Sequence, residues 1–449
     1  MTRYAVVLAA GWGERLWPLT STRPKPLLPL PGGDTLISRL IGQLRGLVDG
    51  FLVVVRKGWM GEAIRKHLEE KRMEALYAVQ EEPRGTGDAA RVGVEALPRS
   101  VDEVLLVNGD LLVSRNVFEK LVKVGAPSVA AVPSNEPWNY GVLKLSSTGC
   151  LEAIVEKPVD AKPGSLINTG IYLLPRQSLE EELAQLKPSP RGELEVTDAV
   201  TAIARKTCVH VASGEDWVWL DIGRPWDVFT AYRVVFEERF SELREPLAEG
   251  EVEPGTVLRG PVYVAKDAVV RSHSVVEGPA WIEGEVGPFA RVRPWSFLHP
   301  GSRAATHTEV KASILLRGAK APHLNYVGDS ILGEEVNLGA GTITANLRFD
   351  HATVKVVLKG RRVDSGRNKL GAIMGDYAQT GINVSLFPGV RVGAYSWIHP
   401  SARVERDVPD CTYLRLRGEG VELRDLAERI QCPDYVIEAR RKVSRWLSP

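Results

Sequence analysis

No apolar run in the 449-residue chain approaches the ~20 residues that a membrane-spanning helix needs. The apolar start, Tyr4–Ala10, is too short for a convincing secretory signal, and charged Glu14 and Arg15 follow closely; it reads as a buried strand. Cysteine is scarce. Cys150, Cys208, Cys411 and Cys432 stand far apart with no CxxC spacing. That pattern argues against a zinc ribbon or a disulfide framework and suits a reducing cytosol. Net charge is lacking too: 57 Lys and Arg against 56 Asp and Glu leave +1, so no global basic field recruits nucleic acid. The expectation is a cytoplasmic protein that engages neither membrane nor nucleic acid. With 44% hydrophobic residues, the length suits roughly two to three globular domains.

What is present begins at residues 8–25, "LAAGWGERLWPLTSTRPK". A short apolar strand runs into Gly11 and Gly13, with Arg15 and Lys25 close behind. Glycines let backbone N–H groups approach an anion, and the cations neutralise it. Two familiar phosphate loops fail here. The dinucleotide fingerprint needs a third glycine where Leu16 stands, and the P-loop needs Gly-Lys-Ser/Thr where Leu16-Trp17-Pro18 stands. The loop is either a phosphate cradle of another kind or a tight turn.

Up to about Phe240, strand-like runs ("YAVVLAA", "GFLVVV", "EVLLVNGD", "SVAAVP") alternate with stretches of helical periodicity ("TLISRLIGQLRGLV", "GEAIRKHLEEKRM", "RNVFEKLVKV"). This predicts a mainly parallel sheet covered on both faces, with ligands at the carboxyl ends of its strands, where Gly11–Lys25 and Asp110 fall. "DVFTAYRVVFEERFSEL" closes this half as a helix. From Val262 to about Val404 an apolar residue recurs every six: Val286, Val292, Leu298; Leu332, Leu338; Leu386, Val392, Ile398, Val404. "LHPGSR" at 298 returns as "IHPSAR" at 398. That period predicts a parallel β-helix. "HATVKVVLKGRRVDSGRNKLG" breaks the period as a projecting loop or hairpin. His299 and His399, in their "HP" corners, read as solvated coil residues. The charged segment after residue 410 reads as helical.

Taken in order, "LAAGWGERLWPLT…RPKPLLP", "QEEPRGTGDA", "VNGD", "NYGV", "VEKP", "INTGIY" and "WLDIGRPWD" resemble the sugar-1-phosphate nucleotidylyltransferases. More closely, the chain resembles their bifunctional archaeal-type members, which carry a fused left-handed β-helix acetyltransferase. The resemblance covers about residues 3–410. It implies a Rossmann-like nucleotidyltransferase domain over 1–245, a left-handed β-helix over 246–410 and a tail over 411–449. It also implies roles. Gly11 and Gly13 wrap the nucleotide phosphates, Arg15 holds the triphosphate and Lys25 neutralises developing charge. Gln80, Gly85 and Thr86 contact the base. Asp110 and Asp221 bind Mg2+. Gly141, Glu156, Lys157 and Asn168 hold the sugar phosphate. By themselves, Asp110 reads as a helix N-cap or turn aspartate and Lys25 as a solvated lysine; the roles come only with the ordered motif set. The nucleophile is an anionic phosphate, so the reaction needs positioning and charge stabilisation rather than a general base.

In the second half, "KASILLRGAKAPHLNYVGDSILGEEVNLGAGTITAN" resembles the acetyltransferase site. By that resemblance Arg293 and Lys311 bind the sugar phosphate, Tyr326 and Asn337 contact the amino sugar, Asn346 lies at the acyl-donor end and His323 is the general base. An amine attacks a thioester only when neutral, so a base of near-neutral intrinsic pKa suits the step. Two departures stand out. Where bacterial members carry "CNYDGANK" this chain has "ANLRFDHA", so Ala352 replaces a lysine, and the basic loop Lys355–Lys369 reads either as a source of CoA phosphate contacts or as a solvated hairpin. The opening signature is closer to hexose-1-phosphate thymidylyl and uridylyl enzymes, which leaves base and sugar open. The expected partners are UTP or dTTP, sugar 1-phosphates and acetyl-CoA, in a homotrimer. The competing readings are a nucleotidylyltransferase whose β-helix is only a scaffold, and an idle regulatory subunit.

Overall fold

The computed structural model describes residues 1–190, 192–418 and 420–447. They form two compact units. The first comprises Met1–Trp12, Pro24–Leu27 and Asp34–Ile222; the second comprises Gly13–Arg23, Leu28–Gly33 and Gly223–Pro449.

In the first unit, strands β1 (Arg3–Leu8), β2 (Gly50–Arg56), β3 (Leu76–Gln80) and β4 (Glu103–Asn108) are parallel, in the spatial order β4-β1-β2-β3. The short β5 (Leu111–Val113) follows at once. Strands β6 (Ser128–Ser134), β7 (Gly141–Leu145), β8 (Leu151–Glu156) and β9 (Ser165–Pro175) extend the sheet, and β10 (His210–Ala212) closes its edge on β6. β11 (Trp219–Asp221) pairs antiparallel with β5. Successive residues face opposite sides: Val6, Leu52 and Val54 join one core and Ala5, Val7, Val53 and Val55 the other. Helices α1 (Leu36–Leu44), α2 (Trp59–Glu70) and α4 (Arg115–Val124) cover the second of these cores. Helices α3 (Thr86–Glu95), α5 (Arg176–Ala184) and α6 (Val196–Ala204) cover the first. The sheet departs from the predicted parallel pattern at β9, which lies antiparallel between β4 and β6. Its run Gly170–Leu174 is buried on both faces, which erases the period-two alternation that marks a half-buried strand.

The second unit is the β-helix. Val264, Ile282, Leu298, Leu315, Leu332, Met374 and Val392 stack in register on one face, each nearly or fully buried. The equivalent stacks are Val270, Val286, Ala304 and Ala321 on a second face and Val276, Val292, Val310 and Val327 on a third. One inward apolar residue per face is what the six-residue period encodes. Between Leu332 and Met374 the period is interrupted by an antiparallel hairpin, Lys355–Leu358 with Arg361–Asp364.

Helix α7 (Asp227–Phe240) belongs to this unit. Its Phe236 and Phe240 meet Trp281 at ring-centroid separations of 6.4 and 5.0 Å, and the Tyr232 hydroxyl lies 2.7 Å from His299 Nε2. His299 is therefore 5% exposed rather than solvated: the expectation fails because Tyr232, distant in sequence, covers that corner. His399 is half-buried, with Nδ1 2.8 Å from the Pro400 carbonyl oxygen.

The signature segment Gly13–Arg23 is bonded to the coils of the same unit. Trp17 Nε1 donates to Asp410 at 2.8 Å and Ser21 Oγ donates to its other oxygen at 2.9 Å. The buried Arg23 pairs with Asp376, to which Thr22 also donates, and lies 3.2 Å from Glu334. After residue 410 the chain first forms a hairpin, Thr412–Arg417 with Gly420–Asp425, and only then α8 (Asp434–Ser444). The cysteines also correct the sequence expectation. Cys150 pairs with Cys208 and Cys411 with Cys432, across Cα separations of 5.3 and 6.2 Å. Sequence spacing could not show this, because each pair is brought together by strand and coil topology.

Candidate active sites

The first site is built at the carboxyl ends of parallel strands, where a twisted sheet leaves room for a ligand. Gly11 lies just past β1, Gln80 ends β3, and Asp110 stands two residues past the end of β4. Asp221 ends β11, whose register on β5 sets it opposite Leu111, beside Asp110. Lys25 is 6% exposed, and its Nζ lies 2.6 Å from Asp110 and 3.4 Å from Asp221. The two carboxylates, far apart in sequence, thus share one ammonium. Burial in an apolar fold would penalise a lone lysine, and this pairing offsets that cost.

Asp110 and Asp221 are about a third exposed and offer only oxygen donors, the set that suits Mg2+ when phosphate oxygens and waters complete the shell. Among the described residues no three His, Cys, Asp or Glu side chains cluster as a metal site would demand. A two-carboxylate site fits an ion that arrives with its nucleotide.

Gly85 precedes α3 with φ +110°, and a Cβ there would strike the Leu194 carbonyl oxygen. Thr86 Oγ1 accepts from Val196 N at 3.2 Å, so its hydroxyl also holds local structure. Gln80, buried at the strand end, donates from its carboxamide nitrogen to Asp88 at 2.8 Å and toward the Gly85 carbonyl at 3.4 Å. Burial alone would raise the Asp88 carboxyl, but hydrogen bonds from Gln80 and Arg91 outweigh it and hold the group below its ordinary value.

Gly141 of β7, Glu156 of β8 and Asn168 of β9 meet where these strands adjoin. Gly141 pairs with Glu156 across the strands, and a Cβ on it would lie 3.2 Å from Glu156 Oε1 and 3.6 Å from Asn168 Cβ. The Asn168 amide nitrogen donates to the Tyr172 hydroxyl at 2.6 Å. Lys157 is exposed, with φ +48° and its backbone N–H bonded to the Tyr140 carbonyl. Gly13 (φ +71°) and the exposed Arg15 belong to the second unit, whereas Gly11 and Lys25 belong to the first.

The second site lies on one face of the β-helix. Arg293 and Lys311 come from consecutive coils, the Arg293 N–H donating to the Val310 carbonyl at 2.8 Å. Lys311 Nζ is 2.6 Å from Asp329, and the Asn346 amide nitrogen donates to the same carboxylate oxygen at 2.6 Å and toward the Tyr326 hydroxyl at 3.3 Å. Gly328 leaves the room they use, since a Cβ there would lie 2.7 Å from Asn346 Nδ2. Arg293 pairs with Glu309 at 2.9 Å. Burial pushes the Tyr326 phenol up, so it stays a neutral donor. His323 sits at the corner before this face. It is exposed, and its imidazole takes no hydrogen bond among the described residues. Asn337 stands apart: it bridges Lys320 and Gln379 on the adjacent face. Asp329, Glu309 and Asp88 are functional residues beyond the sequence expectation, although Asp329 ends the glycine motif "HLNYVGD" and Asp88 lies within "GTGDA".

Beside Asn346 the β-helix carries an open cavity of about 880 Å³, lined by Phe349, Lys355, Arg362, Arg406 and Trp446 among others. No helix of the described residues is long and apolar enough to cross a membrane.

Comparison with known proteins gives the family. Residues 4–238 match the family described as "Nucleotidyl transferase". A "Bifunctional sugar-1-phosphate nucleotidylyltransferase/acetyltransferase" from Sulfurisphaera tokodaii is 38% identical over 411 residues, covering 90% of this chain and 98% of its own. A "Bifunctional protein GlmU" from Methanocaldococcus jannaschii is 38% identical over 419 residues, with 92% and 98% covered. A bacterial "Bifunctional protein GlmU", from Rubrobacter xylanophilus, is 31% identical over 453 residues, with 90% and 91% covered. The chain belongs to the family of bifunctional sugar-1-phosphate nucleotidylyltransferase/acetyltransferases.

Proposed function

We propose that the chain transfers UMP or dTMP from its triphosphate to a sugar 1-phosphate, such as N-acetylglucosamine 1-phosphate, and separately acetylates an amino-sugar 1-phosphate, such as glucosamine 1-phosphate, from acetyl-CoA. The observation that carries the first half is Lys25 held between Asp110 and Asp221 at the strand ends. A sugar-phosphate oxygen attacks the α-phosphorus in line; the new P–O bond forms as the bond to pyrophosphate breaks. Gly11, Gly13 and Arg15 cradle the triphosphate, and Lys25 turns to the phosphate oxygens as their charge rises. Asp110 and Asp221 would hold Mg2+, which when bound would supply charge neutralisation there. Gln80, Gly85 and Thr86 face the base. Gly141, Glu156, Lys157 and Asn168 receive the sugar phosphate.

In the second reaction the neutral amine attacks the thioester carbonyl. The C–N bond forms, the C–S bond breaks and the amine proton passes to His323. Arg293 and Lys311 orient the sugar phosphate, and Tyr326 contacts the sugar. The cavity beside Asn346, with cations from the hairpin, suits the phosphates and pantetheine of CoA. Asn337 bridges the adjacent face instead of joining this set in one chain, which supports the expectation of a homotrimer in which neighbouring β-helices share sites; light scattering at three times the chain mass is the expected result.

A substrate matrix tests the reading. UTP, dTTP, CTP and ATP are crossed with glucose, N-acetylglucosamine and N-acetylgalactosamine 1-phosphates, with acetyl-CoA assayed against each amino-sugar phosphate. Pyrophosphate release with UTP or dTTP that is lost in Asp110→Ala is expected. A β-helix that is only a scaffold consumes no acetyl-CoA.

A further inference from the structure

We infer that Asp88 sets the base preference of the nucleotide site by fixing which way the Gln80 carboxamide points; this rests on the reading above that Gln80 faces the base. The two ends of a carboxamide have nearly the same shape and opposite hydrogen-bonding character, so its orientation must be decided by its neighbours. Here the neighbour is unambiguous. Asp88 lies within the first turn of α3, and the environment holds its carboxyl ionised at neutral pH. An ionised carboxylate only accepts, so the Gln80 atom 2.8 Å from Asp88 Oδ2 is the N–H end. Asp88 in turn cannot swing away, because Arg91, one helical turn on, donates to its other oxygen at 2.8 Å. The second N–H of Gln80 points toward the Gly85 carbonyl at 3.4 Å.

What remains is the carboxamide oxygen. It takes no hydrogen bond among the described residues, although Gln80 is only 4% exposed. A nearly buried residue at a strand end, beside the glycine turn, thus presents a fixed acceptor with nothing to accept. The complement of an acceptor is a ring N–H. Uracil and thymine carry one at N3. Cytosine has a bare nitrogen there, which would face oxygen with no proton between them. Asp88 is therefore a positioning residue: it admits uracil and thymine nucleotides and disfavours cytosine without touching either.

The test is the ratio of kcat/KM for UTP over CTP, with N-acetylglucosamine 1-phosphate as acceptor. Asp88→Asn removes the constraint, since an asparagine offers either an oxygen or an N–H and lets Gln80 turn. Asp88→Ser does the same through a hydroxyl that both donates and accepts, and stands in should the asparagine variant fold poorly. A buried mismatch of this kind corresponds to roughly a tenfold to hundredfold discrimination, so the ratio is expected to fall by about tenfold or more in both variants. A ratio that holds in folded Asp88 variants while Gln80→Ala changes it would overturn the orienting role alone. If Gln80→Ala leaves the KM of UTP and the ratio as in the wild type, the base-contact reading itself is wrong.

Discussion

Two buried titratable groups of the β-helix unit pull its stability in opposite directions as pH changes. Asp410 is fully buried. Its carboxylate accepts from Trp17 Nε1, Ser21 Oγ and the Ala394 N–H, yet loss of water dominates and lifts the carboxyl from 3.8 to about 6. His299 is buried under Tyr232, and burial lowers its imidazole from 6.5 to about 4; Glu334 opposes that change and Arg23 adds to it. Between pH 4 and 6 the unfolded chain carries Asp410 ionised while the folded chain keeps it protonated. The folded state binds more protons, so this group makes stability fall as pH rises. For His299 the unfolded imidazole is protonated and the folded one neutral, so stability rises with pH over the same window. At about 1.4 kcal/mol per unit of displaced pKa, each effect amounts to about 3 kcal/mol, and in the wild type the two largely cancel. Single variants expose them. For a unit of this size about 1 kcal/mol moves the unfolding midpoint by roughly 2–4 °C. From pH 4 to pH 7 the midpoint of Asp410→Asn, relative to wild type, is expected to climb by roughly 6–12 °C, and that of His299→Gln to drop by a similar amount. Calorimetry at pH 4, 5, 6 and 7 reads both. An Asp410→Asn offset that is the same at pH 4 and pH 7 refutes the reasoning, whatever its size.

The two chemistries should separate. His323→Ala is expected to lower acetyl transfer by about 10²-fold or more while pyrophosphate release stays near wild type, whereas Asp110→Ala does the reverse; both are read by paired coupled assays. Excess chelator is expected to stop nucleotidyl transfer and spare acetyl transfer, because only the first site sets two carboxylates together without a protein cation for each. Opening the Cys411–Cys432 bridge, whose ends are 21 residues apart, by a double substitution to serine is expected to cost about 3 kcal/mol, seen as a lower thermal midpoint; an unchanged midpoint, or free thiol titrated in the unreduced native protein, speaks against the bridge.

The β-helix was legible because its signal is local: one buried residue per face recurs every six, and Val286, Val292, Leu298, Leu386, Val392, Ile398 and Val404 all lie inside. The alternating sheet was legible for the same reason. What failed depended on distant partners. His299 and His399 occupy equivalent "HP" corners, and only the arrival of Tyr232 from α7 buries the first. The disulfides join residues that no spacing rule relates. The expectation of a helical tail fails over Thr412–Asp425, although "TYLRLR" and "GVELRD" alternate as a hairpin should, with Gly418 and Gly420 at the turn, so that signal is present in the sequence. In the sites, the residues reached through the family resemblance include Lys25, Asp110 and Asp221, which converge; composition and periodicity could not have joined Asp110 to Asp221, because the β5–β11 pairing does so. Asp88 and Asp329 carry no periodic signal, and their importance shows only in what they hold.

A common electrostatic device runs through both sites. Three of the cations assigned to a phosphate are already paired: Lys25 with Asp110 and Asp221, Lys311 with Asp329, Arg293 with Glu309, whereas the exposed Arg15 and Lys157 form no ion pair among the described residues. The pairs keep long side chains extended toward the site and avoid stranding a charge in a low-dielectric pocket. Binding then becomes an exchange of partners rather than a fresh desolvation. The exchange differs between sites. In the proposed reaction Lys25, turning to a triphosphate, would leave two carboxylates beside more negative charge, an arrangement that a divalent cation arriving with the nucleotide would stabilise. When Lys311 turns to a sugar phosphate it leaves one carboxylate, and Asn346 already donates to that same oxygen at 2.6 Å. The amide holds Asp329 in place without a metal, so on the proposed function the β-helix face would take a phosphate on its own side chains while the strand-end site would need its ligand to bring the missing charge.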